Sequence, residues 1–87
     1  MAESKVRAWV RAHLARYARM EPGDVSFDRA LADFGMDSVD AVLMAGELEE
    51  ATGVEIDPAT FLQYDTIGQM VAALEKSLPG QAQIAGS

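Results

Sequence analysis

The chain has no cysteine. Disulfides, thiolate metal sites and cysteine nucleophiles are thereby excluded, and the core must hold by packing alone. Any thiol chemistry would have to come from an added group. Positive charge is scarce through most of the chain: of seven basic residues six fall at or before Arg29, and from Ala30 onward only Lys76 opposes ten acids. With a net charge of -7, nucleic acid is not an expected partner, because binding it depends on clustered Lys and Arg neutralising phosphates. No apolar run reaches the roughly 18 to 20 residues that a bilayer-spanning helix needs, and the basic N-terminal stretch has no signal-like apolar segment. No membrane insertion is expected, and the expected compartment is the cytoplasm. Strand-like alternation and internal repeats are also missing.

What is present is helical periodicity. The 87 residues suffice for one domain with a small core. In "SKVRAWVRAHLARYA" Val6, Trp9, Val10, Leu14 and Tyr17 share one broad stripe, while Lys5, Arg7, Arg11 and Arg16 fall largely outside it. That helix should stop near "MEPGD", where Pro22 and Gly23 break it. A long connection then runs to Asp37, and Val25, Phe27, Leu31 and Phe34 are its candidate anchors, with a short helical turn in "FDRALADF". A second helix is expected from about Ser38 to Ala51 or Thr52, entered through Gly35, capped by Asp37 or Ser38 and stopped by Gly53. Asp57 and Pro58 open a short helix near Ala59 to Gln63. Thr66 and Gln69 stand in capping-box relation at the head of a last helix, which carries Ile67, Met70, Val71 and Leu74 on one face. The expected fold is all-α: an antiparallel four-helix bundle with three main helices, one short helix and a long first loop. Residues 1–78 form the domain, and 79–87, "PGQAQIAGS", read as a disordered tail or linker.

The second helix has apolar residues on two sides. At about 100° per residue, Ala41, Met44, Ala45, Leu48 and Thr52 share a core-facing side. Val39, Leu43, Gly46 and Glu50 lie opposite, with Val42 and Glu47 on the flanks. One reading treats these apolar residues as the ordinary scatter of any surface or as burial at a crowded edge. The other is a docking surface of small apolar residues among Asp40, Glu47, Glu49 and Glu50, able to attract a basic partner. Glu49 and Glu50 oppose the helix dipole at the C-terminal end, so folding alone does not recommend them.

The motif "FGMDSVDAV" is similar to the G-x-D-S-[LIV] attachment motif of acyl carrier proteins. The resemblance extends from about Val6 to Leu78, including the long first loop and "YDTIGQMVAAL". It implies that Ser38 is the attachment residue of a phosphopantetheine arm transferred from coenzyme A, which bears acyl groups as thioesters. It further implies three kinds of partner: a phosphopantetheinyl transferase, an acyl ligase or acyltransferase, and ketosynthase or other synthase domains. A serine at a helix N-terminus suits a phosphodiester, since free N–H groups and the positive end of the dipole favour an anion. By this resemblance Asp37 helps to hold the serine and the transferase's metal ion. Val39, Val42 and Leu43 supply partner contact, and Asp40, Glu47 and Glu50 are partner-facing acids. The chain itself is then a carrier and not an enzyme.

Three departures shape the expected partner set. Leu43 stands where carriers of fatty acid synthesis tend to have an acid, and Gly46 replaces a bulkier contact. "YDT" occupies the place of a histidine, proline and threonine found in many polyketide and peptide carriers. The basic first helix looks more like carriers of bacterial polyketide or lipid-forming synthases.

Other readings are weaker. A peptidyl or aryl carrier would share the fold and Ser38, but that group tends toward G-G-x-S-[LI]. A bare N-cap is the plain reading of Ser38, and an unmodified helical adaptor would use Val39, Val42 and Leu43 without any arm. His13, the single histidine, reads as structural, because nothing supplies an oxyanion site or a strand before the serine. "DFGMDSVD" lacks the ligand spacing of a calcium loop. Trp9, Tyr17, Phe27, Phe34, Phe61 and Tyr64 read as core or core-edge aromatics.

Overall fold

The computed structural model describes residues 4–77; the expected tail at 79–87 lies outside them. Four α-helices follow in order, α1 (Lys5–Ala18), α2 (Ser38–Thr52), α3 (Ala59–Leu62) and α4 (Ile67–Ser77), with 3-10 turns at Pro22–Asp24 and Leu31–Phe34. No strand occurs among the described residues, and no helix among them is long and apolar enough to cross a membrane. The fold is the expected all-α four-helix arrangement.

Each helix begins and ends where its local chemistry allows. Ser4 opens α1 by accepting the Arg7 amide on its hydroxyl at 3.1 Å. The helix closes earlier than Pro22 and Gly23 would require, at Arg19, which takes the left-handed conformation with φ 57°. The Met20 amide then bonds back to the Ala15 carbonyl at 2.9 Å, a closure that usually recruits glycine. At α4 the Thr66 hydroxyl accepts the Gln69 amide at 3.2 Å and the Gln69 side chain accepts the Thr66 amide at 3.3 Å. This is the reciprocal box the sequence announces.

The core forms where the apolar stripes meet. Val10 and Leu14 of α1, Met44 and Leu48 of α2, and Met70 and Leu74 of α4 are essentially inaccessible to solvent. Among the described residues no polar or charged residue is fully buried, so the cohesion is that of close-packed apolar volume. Met36 is also buried. No periodic signal points to it, because it lies between two elements.

The long loop is fastened at several points. Val25 is buried, and Phe27, Leu31 and Phe34 pack against the core. The Phe27 ring lies beneath the guanidinium groups of Arg7 and Arg11, at 5.1 and 4.6 Å, an arrangement favoured by the ring's negative face. Arg11 also donates to the Val25 carbonyl at 2.9 Å and to the Pro22 carbonyl at 3.3 Å. Basic residues outside the apolar stripe therefore hold the loop instead of merely facing water. Further along, the Phe27 and Arg29 carbonyls accept the Gly68 and Ile67 amides, both at 2.8 Å. A Cβ on residue 68 would lie 3.2 Å from the Phe27 carbonyl oxygen, which accounts for glycine there.

The structure narrows one sequence expectation and changes another. Of the aromatics placed in the core or at its edge, Tyr17 and Tyr64 belong to the edge, 42% and 36% exposed. Glu49 has a structural purpose despite its unfavourable place in the helix dipole. Its Oε1 accepts the Ile56 amide at 3.0 Å, tying the α2–α3 connection to the end of α2.

Candidate functional site

Gly35 turns the chain into α2 with φ 82°, a backbone region open to glycine and costly for other residues. Asp37 follows as the N-cap. Its Oδ1 accepts the Asp40 amide at 3.0 Å, while Asp40 Oδ2 accepts the Asp37 amide at 3.2 Å. The two aspartates thus form a reciprocal cap around the first turn. Ser38 sits between them at the first helical position, exposed, and its hydroxyl takes no part in the cap. Of the two capping candidates in the sequence, the structure selects Asp37.

That division of labour makes a serviceable attachment point. The first-turn amides of Ser38 and Val39 are not engaged by the box, so they remain available to an anion on the same turn. Beside Ser38 opens a cavity of about 220 Å³. Met36, Ala41 and Met70 line its apolar depth, and Leu62 and Tyr64 stand at the exposed rim. A serine-borne chain with a polar phosphate root and an organic extension fits such surroundings: amides at the root and apolar side chains alongside. Sequence reasoning does not bring Leu62 or Tyr64 to this site. The available signal was "TFLQY", whose apolar residues exceed what one buried side of a single-turn helix can use.

The outward side of α2 carries Val39, Val42 and Leu43, which are 64%, 46% and 59% exposed. Three large apolar residues in water on one short stretch form a patch that the core does not use. Glu47 and Glu50 are exposed on the same helix. Asp40 differs from them. Expected as a partner-facing acid, it is only partly exposed and is engaged by the protein's own groups at the surface: its Oδ2 accepts both the Asp37 amide and, at 2.9 Å, the hydroxyl of Tyr17. The Asp37 amide, with the Tyr17 hydroxyl adding to it, holds the Asp40 carboxyl below the usual carboxylate range. The same bond raises the pKa of the Tyr17 phenol.

His13 lies on the seam between α1 and α2, stacked on Trp9 with ring centroids 5.0 Å apart. Its Nδ1 is 3.7 Å from Glu47 Oε2, too far for a hydrogen bond. Burial lowers its pKa below 6.5, against the attraction of Glu47 and with the help of Arg16. The folded protein therefore takes up this proton less readily than the unfolded chain. The stabilising contribution is complete above pH 6.5 and is lost as pH falls through the lower folded value. Thermal melts between pH 7.5 and 5.5 are expected to show this loss in the native protein. His13→Gln should show a smaller drop across the same interval; an identical drop would assign the effect to other groups.

Comparison with known proteins agrees with this geometry. A family model described as the phosphopantetheine attachment site matches residues 8–74. A phenolphthiocerol/phthiocerol polyketide synthase subunit of Mycobacterium tuberculosis is 35% identical over 77 residues, which are 88% of this chain and 4% of that protein. Mycoketide-CoA synthase of the same organism is 32% identical over 75 residues, 85% of this chain and 2% of that protein. The chain thus spans only a few per cent of the length of these curated relatives. The crystal structure of a free-standing peptidyl carrier protein from Acinetobacter baumannii aligns with a TM-score of 0.71 at 30% identity, covering 84% of this chain and 91% of the other.

Proposed function

We propose, because this chain belongs to the phosphopantetheine-attachment family of carrier domains, that Ser38 bears the arm and that the domain carries acyl intermediates of polyketide or related lipid biosynthesis. The observation that carries this reading is the cap made by Asp37 and Asp40. It frees an exposed serine hydroxyl at the head of a 15-residue helix, with two amides of the first turn open to a phosphate.

When bound, the arm supplies a terminal thiol that holds cargo as a thioester, which a chain without cysteine cannot provide. The contribution of this chain is to present a hydroxyl, accommodate the anion and offer a docking face. On loading, Ser38 Oγ forms a new bond to phosphorus, the adenosine bisphosphate part of coenzyme A leaves, and the hydroxyl proton passes to a base on the transferase. The carrier is not itself an enzyme; bond making and breaking belong to its partners.

Those partners are a phosphopantetheinyl transferase, an acyl ligase or acyltransferase, and ketosynthase or other synthase domains. The polyketide synthases among the relatives support this set. Val39, Val42 and Leu43 supply apolar contact, with Glu47 and Glu50 steering basic surfaces toward Ser38. Glu47→Lys with Glu50→Lys is expected to slow loading by a cognate basic partner several-fold at low ionic strength and to flatten its salt dependence. Equal rates in low salt would remove these glutamates from steering.

The A. baumannii structure favours a second reading, an aminoacyl cargo on the same serine. Intact mass after incubation with coenzyme A, magnesium and a broad-specificity transferase tests the carrier assignment. Subsequent acylation by an acyltransferase or aminoacylation by an adenylating enzyme separates the two cargoes.

A further inference from the structure

Tyr17 is poorly explained by packing. Its ring lies at the end of α1 and is 42% exposed, so the side chain contributes little to the core. Its hydroxyl nevertheless spans from α1 to α2. It donates to Asp40 Oδ2 at 2.9 Å and lies 3.3 Å from the Gly35 carbonyl; one proton serves both, with the shorter bond dominant. Both partners bracket the attachment serine. Gly35 makes the turn that delivers the chain to α2, and Asp40 is half of the box enclosing Ser38.

The first turn of a helix is where fraying begins, since its amides lack intrahelical partners. Here the box answers that locally, yet both its members are surface aspartates of like charge. A neutral donor arriving from another helix fixes the orientation of the Asp40 carboxylate and offsets part of that charge. It also joins the turn to a rigid element 23 residues away in sequence. A phenylalanine would pack the ring equally well, so the oxygen is the part with a task.

We propose that Tyr17 is a positioning residue for modification of Ser38: acting through Asp40 and Gly35, it holds the first turn of α2 so that the serine hydroxyl is presented in one orientation to the transferase. This rests on the assignment of Ser38 as the attachment residue. Among the described residues Tyr17 hydrogen-bonds only to Gly35 and Asp40, and not to the serine or to Val39, Val42, Leu43, Glu47 or Glu50. Its removal should therefore leave the encounter with the transferase intact and reduce the fraction of encounters in a reactive geometry.

The test uses the whole protein with coenzyme A, magnesium and a broad-specificity phosphopantetheinyl transferase, following intact mass over time for native protein, Tyr17→Phe, Asp40→Ala and the double variant. Tyr17→Phe is expected to lower kcat about three- to tenfold with little change in KM for the carrier. The double variant should load only slightly more slowly than Asp40→Ala, because the dominant bond of Tyr17 runs to Asp40 and only the weaker one to Gly35 is left to lose. The Asp37 and Asp40 amides should exchange faster in Tyr17→Phe at an unchanged melting temperature. Native protein that loads while Tyr17→Phe keeps its kcat overturns the role of Tyr17 and leaves the attachment site standing. A defect confined to KM, or full additivity with Asp40→Ala, also overturns it. Folded native protein, shown to carry no arm already, that fails to load overturns the attachment assignment and this proposal together.

Discussion

Ser38→Ala is expected to abolish the mass gain of one phosphopantetheine arm completely, while the melting temperature stays close to that of the native protein. The two halves of this expectation have separate physical grounds. Loading requires an oxygen at this position to bond phosphorus, and alanine has none. Folding does not require it, because the cap is supplied by Asp37 and Asp40 and the residue is exposed. Alanine is moreover the best helix former, so an exposed first-turn serine can be replaced at little cost. Intact-protein mass spectrometry and a thermal melt decide both points. A variant that still gains the arm would move the attachment site elsewhere. Folded native protein free of any prior modification that gains nothing would make the helical adaptor the leading reading, with the patch on α2 as its whole function.

The second large effect concerns stability. Leu48→Ala should destabilise the fold by about 2–5 kcal/mol, combining lost transfer energy with the cavity left behind. Leu48 has no exposed surface, so the site cannot relax toward water. Against a total near 4–13 kcal/mol for a domain of this size, at roughly 0.05–0.15 kcal/mol per residue, such a loss is a large share. The melting temperature should fall by roughly 10–25 °C. Val39→Ala on the other side of the same helix provides the comparison. At 64% exposure it should change stability by no more than about 0.5 kcal/mol. Urea titrations of both variants give the ratio. A comparable loss at Val39 would mean that the outward face of α2 is covered in the free protein and is not a docking surface.

The contrast between those two residues is readable from spacing alone. Helical periodicity separates Leu48 from Val39 without coordinates, and local stop and start chemistry set the ends of α2 within a residue. Gly35, Asp37 and Gly53 act over short range, so their effect is visible in the chain itself. What stays hidden depends on contacts across the fold. Tyr17 enters the apolar stripe of its helix because periodicity counts rings and cannot see a hydroxyl partner 23 residues on. Glu49 looks misplaced until the Ile56 amide is found opposite it. Arg19 ends α1 in a conformation that no sequence rule assigns to arginine, and Met36 is buried without belonging to any periodic run. At the site, Ser38 is legible through a short motif and the full-length layout. The choice of Asp37 as cap and the rim formed by Leu62 and Tyr64 depend on three-dimensional arrangement.

The carbonyls of Phe27 and Arg29 that receive the Gly68 and Ile67 amides bear on the order in which the molecule assembles. The first amides of a helix are normally satisfied by water or a nearby side chain, so a helix can begin to wind by itself. In this chain the leading turn of α4 completes its bonding only when a segment about 40 residues earlier has been brought back to it, a closure whose entropic cost must be met before the bonds form. Loop and helix head are therefore expected to open and close as one cooperative unit. A long connection that would otherwise be the most easily melted part of the domain should then share the kinetic persistence of its last helix.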